Sequence, residues 1–143
     1  QRGRYTHVYI DEIYLFFSNG SGRGQSSINQ YGSEFLYKCW KRFRKYGAML
    51  TGITQNVEEC LRSETAKLMF ANSEFLLMFN QAASDRMELA KLLGTSDTQM
   101  DHVNNAPAGH GLIKVGGAIV PFINDFPKGT ELYRLMSTRP GEG

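Results

Sequence analysis

Two adjacent carboxylates, Asp11 and Glu12, directly follow a short strand-like run at residues 6–10 and precede a second apolar run at residues 13–17. At the tip of a strand, the first carboxylate of such a pair can hold the Mg²⁺ of a bound nucleotide, usually through water. The second can orient and deprotonate an attacking water. The alternative is a strand end whose carboxylates only meet solvent, because short acidic patterns are common.

A phosphate-binding loop of the form G-x-x-x-x-G-K-[ST] would be the decisive partner of this pair, and the sequence does not contain one. The nearest segment, GSGRGQSS at residues 20–27, has no lysine and the wrong glycine spacing, and it follows the acidic strand. Its small polar residues predict a flexible loop, which we expect to extend over residues 18–32.

Three further side chains could serve a nucleotide site. Gln55, in the segment GITQN, could contact a γ-phosphate or an attacking water, or could belong to ordinary turn and capping chemistry. Arg42 and Arg44 lie near the end of a basic helix. One of them could be an arginine finger that reaches the nucleotide of a neighbouring subunit. Alternatively, both belong to a solvated face whose cations suit the helix dipole.

Strands and helices alternate along the chain. Apolar runs predict strands at residues 6–10, 48–53 and 74–80, and helical patterns follow at 33–46 (with Ser33 as N-cap), about 57–69 and 84–93. Gly116-Gly117 lies between two further strand-like runs, which predicts a hairpin. The alternation predicts an α/β fold with a parallel sheet flanked by helices. Because ligands bind at the carboxyl ends of such strands, Asp11, Glu12, Gln55 and Asn80 would share one edge.

The length of 143 residues fits one domain, and a net charge of +2 is by itself too small to indicate nucleic-acid or membrane binding. Cys39 and Cys60 form no CxxC, which argues against a zinc site or a disulfide framework and favours a reducing compartment. The sequence contains no 18-residue apolar stretch. The chain enters its first strand almost at once and does not begin with methionine, so we expect a piece of a longer protein.

Taken together, the segments HVYIDEIYLFF, residues 40–94 and residues 109–142 resemble the C-terminal half of the large ATPase of bacterial type IV secretion and conjugation systems, of the TraE/TraC-like kind. The resemblance covers nearly the whole chain apart from residues 18–32. It rests on TGITQN, on the NS-F start of the third strand and on VPF-N-FP, which occur in the family's order and spacing. It implies a RecA-like P-loop ATPase fold that continues into the C-terminal β-hairpin.

By matching positions, the resemblance assigns the Walker B roles to Asp11 and Glu12, with Asp11 on Mg²⁺ through water and ATP as the nucleotide. It assigns the sensor glutamine role to Gln55. Arg44 best matches the trans-acting arginine, and Arg42 is the second choice. The phosphate-loop part would lie outside residues 1–143, so we expect the parent protein to be the ATPase and this piece alone to be inactive.

The resemblance also implies partners and a location. The parent would form a homo-oligomer, often a hexamer, with other secretion-channel and coupling proteins, and DNA is a further candidate partner. It would be cytoplasmic, peripheral to the inner membrane, and would power conjugative DNA transfer or channel and pilus assembly. Two alternatives stay open: a DNA-translocating motor of the HerA or FtsK type, and a non-catalytic, degenerate P-loop interaction module. The late segments FINDFP and YRLMSTRP favour secretion over the DNA motors.

Overall fold

The computed structural model describes residues 3–18 and 25–137, with the backbone alone for residues 25–29. The described residues form two compact units. The first contains the residues up to Ser73 together with Met87–Gly94, and the second contains Glu74–Arg86 and the residues from Thr95 onward. The single domain expected from the chain length stays a prediction.

The first unit is built on two parallel strands, β1 (Thr6–Ile10) and β2 (Ala48–Gly52). A 3-10 helix (Ile13–Phe16), the long helix α1 (Gln25–Arg42) and a second 3-10 helix (Phe43–Tyr46) connect them. Two short helices follow, α2 (Val57–Leu61) and α3 (Glu64–Ala71). Helix α4 (Ala83–Leu93) contributes residues to both units.

Period-2 alternation along the strands and helical spacing along α1 build the core of the first unit. Val8, Ile10 and Leu50 are partly buried, whereas the residues between them are exposed. The central cluster consists of buried side chains from the first 3-10 helix and the residue after it, α1, α2 and α3: Ile13, Phe17, Leu36, Cys60, Ala66 and Met69. Burial of one large apolar side chain contributes about 1.5–3 kcal/mol, so this cluster holds the connections against the strands.

The second unit is an antiparallel sheet in the order β3 (Phe75–Met78), β4 (His110–Val115) and β5 (Ala118–Ile123). Helix α5 (Asp97–Met100), a third 3-10 helix (Asp101–Val103) and helix α6 (Glu131–Met136) complete it. The predicted hairpin at Gly116-Gly117 is confirmed, and Gly116 adopts a φ of +54° in its turn. The Ser96–Gln99 capping box opens α5.

The prediction of a third parallel strand at residues 74–80 is wrong. β3 pairs antiparallel with β4, with Met78 opposite Leu112, and no described residue of β1 or β2 belongs to that sheet. An apolar run carries no information on strand direction, and the nearby hairpin supplies an antiparallel partner. The prediction for Asn80 is therefore wrong as well, because it follows β3, which is not a strand of the parallel sheet.

Two helix boundaries also differ from the prediction. α1 begins at Gln25, so Ser33 is not an N-cap; it is buried within the helix, and its hydroxyl donates to the Gln30 carbonyl at 2.9 Å. Extending a helix from a packed turn costs far less than nucleating one, which lets polar residues 25–32 join it. Residues 19–24 of the predicted loop lie outside the described residues. The helix predicted at 57–69 is two helices, because Ser63 caps a new one by accepting from the Ala66 N–H.

Gly111 sets how closely β3 and β4 approach. A Cβ there would lie 2.1 Å from the Met78 carbonyl oxygen, which is backbone, and 3.1 Å from Cε1 of Phe122. We predict that Gly111→Ala lowers the unfolding free energy by about 1–3 kcal/mol through overpacking, measured by chemical denaturation. Gly117→Ala is the control, because nothing lies within 4 Å of its added Cβ. Equal effects of the two substitutions would contradict this account.

Candidate active site

The parallel pairing of β1 with β2 brings their carboxyl ends to one edge. Ile10 lies opposite Gly52, and the pairing continues beyond the strands. The Ile53 N–H donates to the Ile10 carbonyl at 2.9 Å, and the Ile13 N–H donates to the Ile53 carbonyl at 3.0 Å. These two bonds enclose Asp11 and Glu12, so the carboxylate pair lies next to the end of β2.

Glu12 adopts a left-handed backbone conformation, with φ 50° and ψ 43°, directly before the first 3-10 helix. This region disfavours residues that carry a Cβ, at a cost of roughly 1–2 kcal/mol. The Glu12 N–H donates to Oδ1 of Asp11 at 2.9 Å, so the two residues form one local unit. Asp11 is exposed and Glu12 is half-buried. Backbone strain of this kind concentrates at functional sites, which makes Glu12 the centre of the candidate site.

Ile13 and Gly52, neither of which was predicted to belong to the site, hold the carboxylate turn in place. Ile13 is buried and packs over Gly52, where an added Cβ would lie 2.5 Å from Cδ1 of Ile13 and 3.5 Å from Cη2 of Trp40. Because Gly52 has no side chain, there is room for the side chain of Ile13, the residue that directly follows Glu12. A glycine inside a predicted strand often marks a place where another group lies close to the backbone, so Gly52 is the sequence signal from which this contact could have been predicted.

Gln55 lies in a bend between β2 and α2, and its side chain is exposed at the same edge as Asp11 and Glu12. Hydrogen bonds on both sides shape the bend. The Thr54 hydroxyl accepts from the Asn56 N–H at 3.1 Å and donates to the Asn56 carbonyl at 3.3 Å. Oδ1 of Asn56 then accepts from the Glu59 N–H at 3.2 Å and caps α2. The structure thus brings together three of the predicted site residues.

Cys60, on α2 behind this bend, is a structural thiol. It is fully buried, and burial raises its pKa to about 11, an effect that the negative charge of Glu59 reinforces and the hydrogen bond with Thr54 opposes. At neutral pH the side chain is therefore protonated and packs as a small apolar group. It has no part in nucleophilic chemistry at this edge.

Arg42 and Arg44 lie at the opposite end of the parallel sheet. The Arg44 carbonyl accepts from the Gly47 N–H at 3.2 Å, and the Gly47 carbonyl accepts from the Thr6 N–H at 2.9 Å, so both arginines precede the amino end of β2. A five-residue strand spans roughly 16 Å. The structure therefore does not bring these arginines together with the carboxylates of the same chain.

The side chains at the carboxyl edge would supply only part of the ligands of a Mg²⁺ ion, and waters and substrate phosphates would supply the rest. Within residues 3–18 and 25–137, no three His, Cys, Asp or Glu side chains cluster as a metal site. Mg²⁺ typically keeps several waters and uses one or two carboxylates together with substrate phosphates. One exposed carboxylate, Asp11, fits that pattern. In the same part of the chain, no helix combines the length and apolar character needed to cross a membrane.

The fold of the chain matches that of a solved protein. No protein-family model and no curated protein sequence matches the sequence of this chain. Its structure is similar to the structure of VirB4 of Thermoanaerobacter pseudethanolicus, with a TM-score of 0.73 and 24% sequence identity. The match covers 88% of this chain and 33% of the VirB4 chain, so this chain spans about a third of that protein. At the level of the fold, this likeness confirms the resemblance inferred from the sequence.

The strained backbone at Glu12 predicts a measurable stability effect. We expect Glu12→Gly to raise the unfolding free energy by about 1 kcal/mol, because glycine adopts the left-handed region without the Cβ penalty. Glu12→Ala is the matched control, since it removes the same carboxylate and keeps the Cβ. Chemical denaturation of both variants separates the two causes. If Glu12→Ala stabilises the chain as much as Glu12→Gly, charge and not backbone conformation is responsible.

Proposed function

We propose that this chain is part of a type IV secretion ATPase of the VirB4 kind and carries the Walker B and sensor portion of a RecA-like nucleotide site. The observation that carries the proposal is the carboxylate pair Asp11–Glu12 at the end of β1. Glu12 is held there in a strained conformation, beside the bend that presents Gln55. The shared fold with VirB4 supports the same assignment.

Each residue at the edge would have a distinct role toward ATP. Asp11 would hold Mg²⁺ through water, using the acceptor capacity that remains after one oxygen accepts from Glu12. When bound, the ion neutralises charge on the phosphates. Glu12 would orient the attacking water and take its proton. The exposed amide of Gln55 would contact the γ-phosphate or that water.

The position of the arginines supports a role between subunits. Arg44, or Arg42 as the second choice, lies a full strand length from the carboxylates of its own chain and could act only on the site of a neighbour. Such head-to-tail contacts close into rings, and a hexamer is the assembly that we propose. Through it, the longer protein would power conjugative DNA transfer or channel and pilus assembly, with other secretion-channel and coupling proteins, at the cytoplasmic face of the membrane.

The chain by itself should hydrolyse ATP negligibly, because its sequence contains no phosphate loop and that loop supplies most phosphate contacts.

In the longer protein that we propose, Glu12→Gln should reduce turnover by roughly 100- to 10,000-fold and preserve nucleotide binding. Steady-state hydrolysis and fluorescent-nucleotide binding test this. Glu58→Gln is the control, because Glu58 is exposed and pairs with Arg62 on the surface. Normal turnover of the Glu12→Gln variant would remove Glu12 from its role, and an inactive wild type would favour a non-catalytic module.

A trans-acting arginine predicts rescue on mixing. Arg44→Ala should lose hydrolysis in homogeneous assemblies, whereas mixing with Glu12→Gln subunits should restore part of it, since the second variant supplies the arginine and the first supplies the carboxylate. Lys45→Ala serves as the control for loss of a neighbouring exposed cation. If assembly is intact and no mixing ratio restores turnover, Arg44 belongs to a solvated face and does not act in trans.

A further inference from the structure

Helix α1 presents two aromatic side chains on the face that points away from the core. Tyr31, Phe35, Lys38 and Arg42 follow one another at steps of four, three and four residues, which places them in a single stripe. Tyr31 is 74% exposed and Phe35 is 68% exposed. The outward face of an amphipathic helix is ordinarily polar, so these aromatics call for a partner outside the core.

Positive charge continues the stripe. Five cations lie within eight residues near the end of α1 and in the second 3-10 helix, and all are exposed: Lys38, Lys41, Arg42, Arg44 and Lys45. Glu34 is the one acidic residue of the sequence between residues 30 and 47. In the described part of the chain, the ion pairs are formed elsewhere, by Arg62 and Lys67. The small net charge of the whole chain therefore conceals a strongly positive surface.

Two more aromatic side chains flank the end of this surface. Tyr46 is 80% exposed and Tyr5 is 75% exposed. They precede Gly47 and Thr6, whose backbones are joined by a hydrogen bond of 2.9 Å, so they lie beside the amino end of the parallel sheet. We call the stripe, the five cations and these two tyrosines the α1 surface. Exposed rings lie on both sides of the cations, with Tyr31 and Phe35 before them and the two tyrosines after them, and the surface extends roughly 16 Å along α1 alone.

We infer that the α1 surface binds single-stranded nucleic acid. Surfaces of this class combine cations that follow the phosphate backbone with rings on which unpaired bases stack. Double-stranded DNA would use the cations but not the rings, since its bases are already stacked. An anionic membrane would call for a separate apolar face, whereas rings and cations share one stripe here. This inference goes beyond the proposed ATPase. Arg42 and Arg44 are also the candidate arginines of the nucleotide site, so the test below uses only the other cations and the rings of the surface.

Fluorescence anisotropy with a labelled oligo-dT of about 20 nucleotides tests the inference on the full chain, without ATP, across a salt series. Contact with about five phosphates predicts a slope of log K against log [salt] near −3.5, at about −0.7 per phosphate. The double substitution Lys38→Gln, Lys45→Gln should make the slope shallower by about 1.4. Tyr31→Ala with Phe35→Ala should weaken binding at least tenfold at fixed salt and leave the slope unchanged.

Matched controls separate this surface from the rest of the chain. Arg62→Gln removes a cation that is already paired, and Tyr9→Ala removes a ring that is 68% exposed on β1. Both should bind as the wild type does, and circular dichroism should show every variant folded. None of the substitutions touches Arg42 or Arg44, so failure here leaves the ATPase proposal standing.

Three outcomes would overturn the inference. The first is no binding of oligo-dT at low salt. The second is equal affinity for duplex DNA with no effect of the aromatic substitutions, which would reveal a simple cation patch. The third is binding of phosphatidylglycerol vesicles that depends on the same residues, while oligo-dT does not bind, which would identify a membrane surface.

Discussion

Two backbone hydrogen bonds at Ile53 determine the geometry of the candidate site. The Ile53 N–H donates to the Ile10 carbonyl before the carboxylates, and the Ile53 carbonyl accepts from the Ile13 N–H after them. Asp11 and Glu12 must therefore fit between these two bonds, where regular parallel pairing would place a single residue. The left-handed conformation of Glu12 is the local cost of accommodating the extra residue, and burial of Ile13 in the space above Gly52 offsets it. The same contacts connect the carboxylate turn to the bend that presents Gln55.

Local signals in the sequence predicted much of the fold. The apolar runs at β1 and β2 and the turn at Gly116-Gly117 act over a few residues, and each was found in the structure. Features that depend on distant partners were not predictable in this way. The direction of β3 is decided by β4, more than thirty residues later. The start of α1 at Gln25 depends on a helix nucleated by the packed residues that follow.

The candidate site, like the fold, could be predicted only in part. Residue types and positions at the strand ends predicted the meeting of Asp11, Glu12 and Gln55, because parallel pairing makes the ends of strands coincide. The conformation of Glu12 could not be predicted, since it results from hydrogen bonds to a strand forty residues away. The distance between the arginines and the carboxylates likewise follows from the length of β2 and not from any motif. Short motifs thus identify the chemical groups, and the sheet decides which of them meet.

The burial of both cysteines has a practical consequence for studying this chain. Cys39 and Cys60 are the two cysteines of the sequence; both lie in the first unit and are shielded from solvent. A thiol-labelling reagent can reach them only when that unit opens, and the raised pKa of Cys60 slows its reaction further in the closed state. Labelling kinetics of the unmodified chain therefore report the opening free energy of the first unit alone. The second unit contains no cysteine, so its opening is silent in the same experiment.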